Sequence, residues 1–170
     1  MKQILCVVLC IFVAACASSS RRSLETDYDK AAPFDTYKTF SVEAVQQEQQ
    51  YVALNGLLKK AIADALSTKG LSYSESGETD LIVRFAARVT RGQQMRLEQI
   101  STGKGVYTRN QVEAVNEGAL LINVVDVKQD RVIWKASSIS DITGIDLDKV
   151  TQVQADKALS EILVDYPASM

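Results

Sequence analysis

The sequence predicts an α+β domain of two layers, a mainly antiparallel β-sheet with two helices packed on one face. Three observations carry this. Leu81, Val83, Phe85, Ala87 and Val89 alternate with Ile82, Arg84, Ala86, Arg88 and Thr90, the period of a half-buried strand. Leu54, Leu57, Leu58, Ala61, Ile62, Ala65 and Leu66 recur at the spacing of an amphipathic helix. The signals along the chain run strand, helix, several strands, helix, which is not the regular alternation of a parallel α/β sheet.

Taken in order, Asp35 to Val42 is rich in β-formers and is expected as the first strand. Gln46 to Gln50 is a polar connection. The helix of residues 54–66 has Lys59, Lys60 and Asp64 on its other side and a stop at Gly70, where glycine enters the left-handed region without a Cβ clash. Asp80 to Thr90 is the clearest strand. Residues 91–117 are polar and weakly patterned, with Gly103 and Gly105 marking a turn. Gly118 to Val127 is apolar apart from Asn123 and Asp126 and suits a central strand. Lys128–Asp130 turns the chain, and Arg131 to Ile139 returns as its hairpin partner with Trp134 in the core. Ala155, Ala158, Leu159, Ile162, Leu163 and Tyr166 stripe the last helix, which Pro167 ends. Thr151 with Gln154 fits a capping box, and Asp148 is a rival N-cap.

With 170 residues, 46% of them hydrophobic and 24% charged, the chain has room for one ordinary domain and is neither low-complexity nor disordered in composition. Its 19 basic and 21 acidic residues give a net charge of -2, which lacks the basic excess of a nucleic-acid binder. There is no histidine. That removes histidine general acid–base catalysis, Ser-His-Asp and Cys-His nucleophile systems, and most transition-metal sites.

The N-terminus carries an address. Lys2 precedes an unbroken apolar or cysteine run from Ile4 to Ala15, whose twelve residues would reach about 18 Å as a helix, short of a membrane span. A basic start, a short apolar stretch and small residues at its end make a secretory signal peptide. Val13-Ala14-Ala15-Cys16 resembles the lipobox of bacterial lipoproteins. That resemblance implies cleavage after residue 15, a diacylglyceryl thioether on Cys16 and acylation of its new amino group. Cys6 and Cys10 lie in the removed segment, so Cys16 is the lone cysteine of the mature chain and has no internal disulfide partner. Several acyl chains anchor firmly, at about 0.8 kcal/mol per buried CH₂. Ala17 stands where an aspartate commonly retains such proteins in the inner membrane, which points to the outer membrane. The expected organisation is a signal peptide over 1–15, a flexible tether over 16–25 and a single domain over 26–170.

Two constellations are candidates for chemistry. Arg84 and Arg88 share the strand face opposite the apolar one, near Arg91 and Arg96, and a row of guanidinium groups suits a phosphate or carboxylate. A solvated polar sheet face is the alternative. Asp141, Asp146 and Asp148 surround Gly144, but their spacing does not match a calcium loop and suits turns and caps. No cofactor motif is present, and neither a phosphate loop nor a nucleophile elbow is found.

The stretches Thr26 to Asp29 and Pro33 to Phe40, the helix ending at Lys69-Gly70, Asp80 to Val83, Gly118 to Asp126, Arg131 to Ala136 and Ile162 to Pro167 resemble, in order and spacing, the bacterial lipoprotein family known as domain of unknown function 4136. The resemblance implies a small α+β envelope lipoprotein and brings no catalytic residues with it. Residues 91–117 depart from that pattern, which is richer in Gly and Tyr there. The functional expectation is a non-catalytic binding or assembly module, held at the periplasmic side of the outer membrane by Cys16 and meeting an envelope protein or polymer. The alternatives are a hydrolase of envelope polymers using Asp/Glu chemistry, and a structural part of a larger envelope complex.

Overall fold

Period-2 alternation in an antiparallel pair sends one side of each strand to the core, and here it builds the whole inner face of the sheet. The computed structural model describes residues 22–45, 51–75 and 78–167. Strands β1 (Arg22–Tyr28), β2 (Thr39–Ala44), β3 (Ser72–Tyr73), β4 (Leu81–Thr102), β5 (Gly105–Asp126) and β6 (Arg131–Asp141) form one sheet in the order β1-β6-β5-β4-β2-β3. From β1 to β4 every neighbour is antiparallel, whereas β2 runs parallel to β4 and β3 parallel to β2. The connection from β2 to these parallel neighbours contains helix α1 (Val52–Ser67), and helix α2 (Gln152–Ile162) follows β6. The class is α+β, with a mixed sheet and two helices on one face.

Phe40, Val42, Leu81, Val83, Phe85, Ile122, Val124, Trp134 and Ala136 line the inner face and are buried. Over them lie Leu58, Ala61, Ile62 and Leu66 of α1 and Ala155, Leu159 and Ile162 of α2. Trp134 is fully buried against Tyr166, with ring centroids 5.6 Å apart, and Phe34 stands edge-on to Tyr166 at 5.7 Å and to Tyr37 at 6.3 Å. The indole N–H of Trp134 has no acceptor among the described residues.

Local chemistry explains the helix ends. Gly70 has φ +94°, and its N–H and that of Leu71 return to the carbonyls of Ser67 and Leu66, closing α1 in a Schellman turn with Leu71 buried behind it. Thr151 and Gln154 form the reciprocal capping box of α2, while Asp146 caps the short 3₁₀ turn Leu147–Lys149.

Three expectations differ from what is observed. Residues 22–25, placed by expectation in a tether over 16–25, instead pair with Ser140 to Ser137 as the first half of β1, and residues 16–21 lie outside the described residues. The strand expected from Asp35 begins only at Thr39. Pro33 to Thr36 form a turn instead, closed by the Thr36 N–H on the Pro33 carbonyl at 2.9 Å. Residues 91–117, expected as a loosely patterned connection, instead continue both central strands without a break to a two-residue turn at Gly103-Lys104.

Register at one end of the sheet is held by two carboxylates. Asp80 Oδ2 accepts from the N–H of Lys38 at 2.9 Å, the N–H of Thr39 at 3.0 Å and the Thr39 hydroxyl at 3.1 Å, which locks the start of β2 beside β4. The Lys38 N–H bond does most to hold this carboxyl below the usual carboxylate range, against the opposing pull of desolvation. Asp126, 3% exposed, accepts the Tyr37 hydroxyl at 2.7 Å on one oxygen and the N–H groups of Lys128 and Gln129 on the other. Burial pushes its pKa up, but the Tyr37 hydroxyl, the two N–H groups and the Arg131 charge together outweigh burial and leave it lowered. Burial and the same carboxylate push the Tyr37 phenol well up.

Removing the buried side chain in Ile62→Ala should cost about 2–5 kcal/mol, whereas Lys59→Ala on the exposed side should stay within about 0.5 kcal/mol in denaturant melts. Equal losses would put the wrong face of α1 on the sheet. Asp80 and Asp126 both have lowered folded-state values. Their stabilisation is therefore complete above the unfolded carboxylate range near 3.9 and is lost as pH falls through those lower values. Tyr37→Phe should cost about 1–3 kcal/mol at pH 7, and the gap to wild type should shrink toward pH 2. A gap that widens in acid would contradict the bond from Tyr37 to an ionised Asp126.

Candidate functional site

The outer face of the sheet carries charges in rows. One row crosses five strands as Glu43, Arg84, Asn123, Lys135 and Asp27, each opposite the next. Arg84 faces Glu43 at 3.6 Å, and Lys135 faces Asp27 at 3.1 Å. Both pairs are solvent-exposed, where an ion pair contributes little to stability. Arg88 lies on the same face as Arg84, opposite Ala119, four residues along the strand and so about 13 Å away. The two guanidinium groups therefore share a face, and a carboxylate from the neighbouring strand already faces Arg84.

The three aspartates near Gly144 act locally. Asp141 accepts the Thr143 N–H at 2.8 Å, Asp146 accepts the Asp148 N–H at 3.2 Å and pairs with Lys149 at 2.8 Å, and Gly144 takes φ +79° in the turn between them. Among the described residues no group of three acidic, cysteine or histidine side chains stands close enough to hold a metal ion. Asp80 and Asp126 are two carboxylates whose titration is clearly displaced, and the displacement is downward. A general acid working near neutral pH needs the opposite shift. Asp80 accepts three hydrogen bonds on Oδ2 from the start of β2, and both oxygens of Asp126 accept hydrogen bonds, from Tyr37 and from the turn into β6. Cys16 lies outside the described residues.

Residues 90–117 form the most unusual feature. The β5–β6 ladder ends at Glu117 and Asp141, with two further bonds, from the Ile142 N–H to the Asn116 carbonyl and from the Asn116 N–H to the Thr143 hydroxyl. On the other side, the Val45 N–H reaches the Phe85 carbonyl. Beyond these points, among the described residues, β4 and β5 pair only with each other, from Thr90 opposite Glu117 to Thr102 opposite Gly105. At about 3.3 Å per residue this two-stranded arm extends about 40 Å from the domain. Sequence reading missed it because both its faces meet solvent, so no burial imposes an alternating pattern. The signal available was the pair of glycines at its tip.

The arm's two faces differ. The face that continues the core side bears Met95, Leu97, Val106 and Val112, of which Met95 and Leu97 are 72% and 71% exposed. The other face bears Arg96, Glu98, Arg109 and Glu113. Arg109 meets Glu98 at 2.8 Å directly across the hairpin, and Arg96 meets Glu113 at 3.6 Å on the diagonal. At the arm's base, where the helices leave the sheet, an apolar cleft of about 320 Å³ opens between Leu54, Leu58, Val89, Leu120, Ile142 and Ala158. Gly118 faces it, and a Cβ there would approach the Ile142 side chain to 3.2 Å.

Comparison with known proteins places this architecture. No curated protein matches the chain. Several solved structures share the fold at low identity. A DUF4136 family protein from Bacteroides thetaiotaomicron is 13% identical with a TM-score of 0.53, the match covering 88% of this chain and 97% of that one. A PelC dodecamer from Paraburkholderia phytofirmans is 10% identical with a TM-score of 0.50, over 84% of this chain and 94% of that one. A PDZ domain protein from Parabacteroides distasonis is 13% identical with a TM-score of 0.53, and the match spans 89% of this chain but 38% of that one. The family model described as a domain of unknown function, DUF4136, matches residues 24–168, and the chain belongs to that family.

Proposed function

We propose that this protein is a non-catalytic contact module of the bacterial envelope, anchored through lipid on Cys16 at the periplasmic side of the outer membrane, with the β4–β5 arm as its contact element. The arm carries this reading. It adds nothing to the core, yet it keeps 22-residue strands in register and exposes Met95, Leu97, Val106 and Val112. An isolated two-stranded ribbon is marginal in water, so a free arm of this length calls for a partner surface. The displaced carboxylates support the non-catalytic part, since each accepts three hydrogen bonds and each is shifted downward, away from a general acid's range. The lipobox-like run Val13 to Cys16 supports the anchor.

Cells given labelled palmitate should incorporate it into the wild-type protein and not into Cys16→Ser, which should accumulate as a longer, uncut precursor. Normal processing and membrane retention of Cys16→Ser would remove the anchor from the reading. A variant in which residues 91–116 are replaced by a short turn should keep its acyl label and its far-UV spectrum and lose its cross-linked complexes in intact cells. Unchanged complexes would remove the arm.

A further inference from the structure

We propose that the outer edge of β4 in the arm pairs with the same edge of a second copy of this chain, antiparallel about a two-fold axis at Leu97. This deepens the reading of the arm as contact element and rests on it. Among the described residues, β4 has no strand on that side beyond Phe85, which leaves a row of backbone donors and acceptors open to another strand. The order of side chains along that edge is self-complementary. With Leu97 opposite Leu97 of the other copy, Arg96 falls opposite Glu98 on one face, and Glu98 opposite Arg96. On the other face Leu97 meets Leu97, with Met95 of each copy on the diagonal. These are the two most exposed large apolar side chains of the arm, and Val112 lies beside Met95 across the hairpin. The same operation on the outer edge of β5, centred on Gln111, brings Asn110, Val112, Thr108 and Ala114 together, a more polar seam. A two-fold pairing closes on itself, so two copies would satisfy the β4 edge and form a four-stranded ribbon.

Two experiments on the full chain test this. Leu97 Cα atoms opposite each other in an antiparallel pair stand about 4.5–5.5 Å apart, within the reach of a disulfide. Leu97→Cys should therefore give, under mild oxidation, a reducible species of twice the chain mass, whereas Val153→Cys, exposed on α2, should not. In sedimentation the wild type should run as a dimer and Leu97→Lys as a monomer at the same concentration, with an unchanged far-UV spectrum. A monomeric wild type, a dimer that survives Leu97→Lys, or cross-linking no greater at position 97 than at 153 would each overturn the pairing. A disulfide adduct of some other mass would also overturn it, but would leave the arm's role as contact element standing. Failure of acyl labelling on Cys16 would bear on the anchor alone.

Discussion

The fold depends on register, and register depends on two aspartates at one end of the sheet. Asp80 gathers Lys38 and Thr39 onto the start of β4, and Asp126 at the end of β5 holds Tyr37 and the turn into β6. Side chains alternate with a period of two, so a slip of one residue between β2 and β4 would turn Phe40 and Val42 outward and bring Ser41 and Glu43 into the core. The parallel β2–β4 pair has no tight turn to set its alignment, because α1 intervenes. Hydrogen bonds accepted by a fixed carboxylate do that work, and they do it best while the carboxylate is ionised.

Everything apolar follows from that alignment. One face of the sheet collects Phe40, Leu81, Phe85, Ile122 and Trp134 beneath two helices, and the other stays exposed, with ion pairs across strands beside Leu121 and Ile139. The domain is therefore one-sided. Its core ends near Val89 and Gly118, while its two central strands go on for a further dozen residues without it.

The sequence made some of this legible and concealed the rest for physical reasons. The α1 stripe from Leu54 to Leu66, its stop at Gly70 and the alternation from Leu81 to Val89 were visible because burial on one side imposes a period. β1 was hidden: Arg22–Tyr28 is an edge strand with only Leu24 and Tyr28 apolar, and its identity comes from pairing with β6, more than a hundred residues on. The arm was hidden for the same reason at greater length, since Gln93, Gln94, Gln99 and Asn110 meet water on both faces. The shared face of Arg84 and Arg88 followed from spacing, but Glu43 beside Arg84 arrives through the parallel pairing of β2, which no local pattern announces. Family membership was legible in the order of short motifs, each weak alone.

The placement of β1 has a consequence for posture. Arg22 pairs with Ser140, one step from the Asp141–Glu117 pair at which the arm leaves the sheet. The chain leading back to Cys16 and the arm thus depart from the same end of the domain. Six residues at full stretch reach about 20 Å, half the length of the arm. With Cys16 held in a bilayer, an arm aimed straight down would drive its tip, with Arg109 and Glu98 behind it, into the lipid. An arm on a protein anchored as proposed would therefore have to recline, sweeping a disc roughly parallel to the membrane. Two such arms confined to one plane would meet edge to edge far more readily than two tumbling freely in solution, because the proposed anchor would already remove most of the wrong orientations.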